Sequence, residues 1–147
     1  MKHFEDFNAG DEYNYEATYT VTEAEICEVG ERWDPQPFHI DPVAAESSLF
    51  GGLVASSVLL HAILFALGNT PEKEATAALS ILGFDNIRVR APARPGHVLM
   101  LRDTVLECRV SNSRPELGIV RNRGELINQD GEVVYSCEGT YLVERRS

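Results

Sequence analysis

The stretch Ser56-Ser57-Val58-Leu59-Leu60-His61-Ala62-Ile63-Leu64-Phe65-Ala66-Leu67, stopped by Gly68, decides the architecture. Its length is that of a helix, with a capping serine at its head and a glycine at its foot. Yet it is apolar on almost every side, interrupted only by His61. A helix with no polar face has nothing to offer water, so another layer must wrap it. The residues that follow supply the wrapper. Four stretches rich in β-branched residues, roughly 79–90, 97–111, 118–128 and 132–144, read as strands separated by turn signals. Asp130-Gly131 marks a hairpin, since both residues tolerate positive φ. One buried helix followed by a run of antiparallel strands predicts an α+β fold whose sheet curls around that helix.

Working outward, Tyr13 to Val21 alternates apolar and polar residues, as a half-buried strand does. Thr22-Glu23-Ala24-Glu25 has the spacing of a capping box and opens a short helix that Gly30 can close. Residues 31–40 hold two prolines and no periodicity, which predicts a loop. Asp41-Pro42 pairs an N-cap with a first-turn proline and starts a short helix through about Glu46. No repeat, linker or low-complexity tract divides the chain, so residues 1–147 are read as one domain, and the shape is the one called a hotdog.

Composition removes whole classes of function. Thirteen basic against 23 acidic residues leave a formal charge of −10, which argues against nucleic acid or an anionic membrane surface as the main partner. The longest apolar run, Val58 to Leu67, is too short to span a bilayer. Three cysteines, Cys27, Cys108 and Cys137, are odd in number and lack a C-x-x-C spacing. They predict reduced thiols in a cytoplasmic protein rather than disulfides or a zinc site. No metal cluster, phosphate loop or nucleophile elbow is present, so no metal or other cofactor is expected.

The segment with most chemistry is Arg32-Trp33-Asp34-Pro35-Gln36-Pro37-Phe38-His39-Ile40-Asp41. Asp34 and Gln36 each precede a proline and are pushed to extended conformations. A stiff loop then carries a carboxylate and an imidazole at its ends, able to share one water molecule, as addition of water to a double bond requires. The same spacing also suits a surface turn with a capping aspartate. Farther on, Phe50-Gly51-Gly52-Leu53-Val54-Ala55-Ser56-Ser57 leads into the buried helix. Free N–H groups at a helix N-terminus favour developing negative charge, and small residues admit a ligand closely. Equally, the glycines let the chain turn and Ser56 caps the helix.

These runs together resemble a known family. Asp34-Pro35-Gln36-Pro37-Phe38-His39-x-Asp41 is similar to the D-x-N-P-[LF]-H signature of MaoC-like dehydratases and (R)-specific enoyl-CoA hydratases. Phe50 to Ser56 resembles their F-G-G-x-x-A-S segment at the matching distance. Val89-Arg90-Ala91-Pro92-Ala93-Arg94-Pro95-Gly96 resembles R-x-P-V-R-P-G-D. The resemblance runs from about Phe4 to Val143. It implies a homodimeric hotdog enzyme that hydrates 2-enoyl thioesters of CoA or a carrier protein to (3R)-hydroxyacyl products. Asp34 and His39 would bind and activate water, and the Ser57 backbone N–H would hold the thioester oxygen. Gln36, Gly51, Gly52, Ser56 and Arg94 complete the expected substrate contacts, Arg94 as a guanidinium for phosphate. Gln36 stands where the family has asparagine, Ser57 where glycine is common, His97 where aspartate follows the glycine, and Phe65 where some members place a polar residue.

Other residues carry weaker expectations. His61 reads as a hydrogen-bonded core or interface residue, Arg88 and Arg90 as phosphate ligands or a solvated strand face, and Trp33 as core. An unpaired sheet edge predicts a dimer. Two rivals remain. A hotdog thioesterase would place an acid on the central helix, and none lies between Ser56 and Leu67. A non-catalytic acyl-CoA-binding hotdog subunit would leave the Asp34–His39 pair idle.

Overall fold

A computed structural model describes residues 1–71 and 73–147. After a short 3-10 turn at Phe4–Asp6, the chain forms β1 (Glu12–Thr20), α1 (Glu23–Trp33), α2 (Pro37–Ile40), α3 (Pro42–Glu46) and α4 (Ser57–Gly68). Four long strands follow: β2 (Ala78–Val89), β3 (Val98–Val110), β4 (Leu117–Ile127) and β5 (Val133–Glu144). They join β1 in one antiparallel sheet of order β1-β3-β4-β5-β2. Strands β3, β4 and β5 are sequential neighbours. The two edges are held by β1 and β2, and everything between those two strands must bridge from one edge to the other. None of the described helices is long and apolar enough to cross a membrane.

The sheet closes over α4. Leu59, Leu60, Ile63 and Leu67 are buried against Leu99, Leu101, Leu126, Val134, Tyr135 and Cys137 from β3, β4 and β5. Each such aliphatic side chain contributes about 1.5–3 kcal/mol over its exposed state. This is the α+β hotdog architecture expected from the central helix.

Four local readings need correction. Gly30 does not close α1, which continues to Trp33. Gly30 is instead buried inside it, where a Cβ would stand 2.5 Å from the His39 carbonyl oxygen. Helix here needs a glycine for close packing, not for a stop. Residues 37–40 are a helical turn led by Pro37, so the true loop is Asp34 to Gln36. At the β4–β5 hairpin only Gly131 has positive φ (77°). The turn is closed by Gly131 N–H to the Asn128 carbonyl, while Asn128 Oδ1 accepts from the Asp130 and Glu132 amides. Trp33 is not core: it is 61% exposed, with the Arg32 guanidinium 4.9 Å from its ring.

The wrapping of α4 is also one-sided. Val58, Ala62, Phe65 and Ala66 remain exposed along one stripe, and the neighbouring edge strand β2 exposes Leu79, Ile81, Leu82, Ile87 and Val89. A single copy of this sheet does not cover a helix that is apolar all round.

Candidate active site

Asp34 is the C-cap of α1, with its N–H bonded to the Gly30 carbonyl. The chain then turns tightly: Gln36 N–H donates to the Asp34 carbonyl at 2.7 Å, and His39 N–H donates to the Gln36 carbonyl at 2.8 Å. Two prolines and these two bonds bring His39 back beside Asp34. His39 Nε2 lies 3.5 Å from Asp34 Oδ2, close enough for both groups to contact one water placed beside them.

His39 is only 7% exposed, and its orientation is set by a group without a sequence signature. Nδ1 is 2.7 Å from the Val54 carbonyl oxygen. A carbonyl can only accept, so Nδ1 must carry the proton. That leaves Nε2 as the ring nitrogen facing Asp34 and the open side, the one able to exchange a proton with a water between them. The Phe38 ring meets the His39 ring edge-on at 4.6 Å and Phe50 at 5.1 Å, which fixes the ring plane.

Residues 53–55, a strap leading into α4, tie the imidazole to the helix. Val54 N–H donates to the Phe38 carbonyl at 3.0 Å, and Ala55 N–H donates to the Ala93 carbonyl at 2.8 Å. Val54 lies three residues before Ser57, so His39 is anchored within roughly 10 Å of the start of α4. There Ser56 is buried and its Oγ accepts from Leu59 N–H at 3.2 Å. Ser56 thus caps the helix. Ser57 is exposed at the first helical position, where the N–H points out of the helix and the macrodipole is positive.

Gly51 has a left-handed φ of 66°, which makes it a true turn glycine. Arg94 Nη2 donates to the Phe50 carbonyl at 2.5 Å, and a Cβ on Gly52 would stand 3.3 Å from Arg94 Nη1. Arg94 therefore braces the glycine turn and brings a positive charge to this end of α4. The His97 ring accepts from Arg94 N–H at 3.1 Å and holds that bend.

Asp34, His39, Gly51, Gly52, Ser56, Ser57 and Arg94 are thus drawn into one connected region by these side-chain and backbone bonds. Gln36 joins it only through its backbone: the side chain is exposed at the α2 N-cap and makes no cap bond. His61 lies one turn beyond Ser57, its Nδ1 2.5 Å from the Tyr135 hydroxyl, and burial pushes its pKa down. Arg90 Nε donates to Ser136 Oγ and Arg88 to the adjacent Ile87 carbonyl, and neither contacts the dyad. Sequence reasoning missed Val54 and Gly30. A carbonyl acceptor leaves no mark in the sequence, while Gly30 did leave one, a glycine inside a helical pattern, which was read as a stop.

The family model described as mesaconyl-CoA hydratase matches residues 1–147. The chain is 29% identical over 150 residues to mesaconyl-CoA hydratase of Haloarcula hispanica, an alignment that covers 97% of this chain. It spans only 40% of that curated relative's length. The crystal structure of a MaoC-like dehydratase from Rhodospirillum rubrum is similar at 35% identity and a TM-score of 0.88, covering 100% of this chain and 99% of that one. A Mycobacterium tuberculosis protein described as a double hotdog matches at 16% identity and a TM-score of 0.76 over 99% of this chain and 44% of that one, a likeness of fold alone.

Proposed function

The chain belongs to the mesaconyl-CoA hydratase family and, with it, to the MaoC-like dehydratases; from that premise we propose that it adds water reversibly to a 2-enoyl thioester of CoA or a carrier protein. The observation that carries this reading is the committed tautomer of His39. With Nδ1 held by Val54, Nε2 takes a proton from a water that Asp34 orients. The water oxygen bonds to C3 and the abstracted proton is returned from the dyad to C2, so the enzyme ends unchanged. Negative charge gathered on the thioester oxygen in between is met by the Ser57 N–H at the positive end of α4. Arg94 stands near enough to this end to serve the phosphates of CoA, once it is freed in part from Phe50.

Dyad and strap approach the enoyl plane from one side, so a single enantiomer is expected, and family resemblance assigns it as (3R). The test is chiral analysis of product from a panel of trans-2-enoyl thioesters, with mesaconyl-CoA among them. A single (3R) product supports the proposal. A (3S) or racemic product overturns the mechanism, and release of free CoA without hydration would instead support a thioesterase.

The working unit is proposed to be a homodimer. Pairing through β2 would satisfy its open edge and cover the exposed stripe on α4. Light scattering should give twice the chain mass at micromolar concentration, and a stable monomer would contradict it.

A further inference from the structure

A cavity of about 500 Å³ lies beside the far half of α4, bounded by Leu64, Phe65 and Gly68 of the helix and by Phe84 of β2. None of the dyad, strap or glycine-turn residues lines it. Its walls are apolar, but its inner end is not. Asp103 of β3, Asn122 of β4, Tyr141 of β5 and Lys73 gather there and also line a smaller cavity of about 220 Å³ behind. Glycines make the room: Gly124 is paired with Asp103, and Gly139 with Asn122, across the sheet. A Cβ on Gly124 would stand 3.0 Å from Leu64.

The polar groups at this waist are under-used. Lys73 Nζ donates to the Gly68 carbonyl at 2.7 Å, which leaves further N–H groups. Asp103 accepts from the Tyr15 hydroxyl at a long 3.3 Å. The Asn122 side-chain carbonyl is buried with no partner among the described residues. Burial pushes the Asp103 carboxyl up and the Lys73 ammonium down, so neither is well solvated. Buried polar atoms of this kind call for a partner. Lys73 and Asp103 balance one another, and Glu74, which also lines the cavity, is paired with the N-terminal ammonium at 3.2 Å. A group that both donates and accepts without net charge fits best: a hydroxyl, accepting from Lys73 and donating to Asn122 or Asp103.

The cavity and the proposed thioester site at Ser57 lie along one helix. Ser57, His61, Leu64 or Phe65, and Gly68 follow one another at three- and four-residue spacing, so they share one face of α4. Leu64 is roughly 10 Å along the axis from Ser57. Resting on the hydratase reading above, we propose that this cavity receives the far end of the acyl group and selects a medium-length chain that ends in a hydroxyl.

Two trans-2-enoyl-CoA substrates of equal medium length, one methyl-ended and one hydroxylated at its far end, test this beside crotonyl-CoA, which is too short to reach. Wild type should favour the hydroxylated chain in kcat/KM by about tenfold or more. Lys73→Met, and separately Asn122→Leu, should abolish that preference and leave crotonyl-CoA turnover unchanged. A preference for the methyl end, or one that survives both substitutions, overturns the proposal. If no thioester is hydrated, crotonyl-CoA included, the hydratase reading fails by itself. The cavity is then read by melting temperature with free fatty acids. A rise with the terminally hydroxylated acid, absent with the plain acid and in Lys73→Met, supports a site for a free hydroxylated chain, and no rise overturns it.

Discussion

The two ends of α4 are built on opposite terms. At the N-terminal end, polar groups are committed before any ligand arrives: His39 to Val54, Ser56 to Leu59, Arg94 to Phe50, Ala55 to Ala93. What is left free is small and directed, an imidazole lone pair, a carboxylate and the Ser57 N–H. At the C-terminal end the titratable groups Asp103 and Lys73 are half-buried and sparsely partnered, around open space. Pre-organisation suits a reacting centre, where reorganisation would cost rate. Unmet hydrogen-bonding capacity suits recognition, where the ligand supplies the missing partner.

The largest effect that can break this contrast is at the dyad. His39→Gln and Asp34→Asn should each lower turnover by about 10²–10⁴, the range for losing a positioned acid or base. Melting temperature should hold, because Val54 and the Phe38 carbonyl still join the strap. Rates near wild type in steady-state assays would refute the assignment.

Next in size is a test of the backbone N–H itself. Ser57→Pro removes that donor at a first-turn position where proline is tolerated, and Ser56 already has the extended conformation proline demands (φ −70°, ψ 159°). Turnover should fall by about 10²–10³ with the fold retained. Ser57→Ala keeps the donor and should stay within about threefold of wild type in the same assay. Equal losses in both variants would mean that the side chain, not the N–H, matters.

The smallest effect probes the other end. Burial, outweighing the nearby Lys73, raises the folded pKa of Asp103 above its unfolded value, with Tyr15 and Tyr141 facing it. The ionised form therefore costs stability, fully above the folded pKa and not at all below the unfolded one. Asp103→Asn should melt higher than wild type at pH 8, and the gap should close as pH falls through that window. A gap that is constant with pH, measured by thermal unfolding, would show that the carboxylate's charge is not the cause.

How much of this was legible in the sequence differs between the same two ends. The central helix, the strands and the Asp34–His39 region could be read because each rests on side-chain type and spacing. The strap could not, since Val54 acts through its carbonyl and any residue would supply one. Gly30 was misread because a glycine that ends a helix and a glycine that lets a helix touch its neighbour look alike in one dimension. Trp33 was misassigned to the core, because the Arg32 guanidinium that accompanies its ring at the surface is a neighbour whose placement spacing alone does not give. Asp103, Asn122 and Lys73 went unremarked, as they are brought together only by the register of two strands and a connecting segment.

The strand order has a consequence for how the chain finds its shape. Strands β3, β4 and β5 are joined by short connections and can zip in sequence, whereas β1 must find β3 across a long closed loop and β2 must return to β5. Loop closure of that kind is slow relative to hairpin formation. Dyad, strap and central helix all lie between β1 and β2, so they are the last part of the chain to be enclosed. During refolding, amide protection should therefore reach the three-strand meander first and α4 afterwards, and simultaneous protection would contradict that order. On that order the proposed reacting centre is completed last, and until then the most apolar helix is the segment left for another chain to capture.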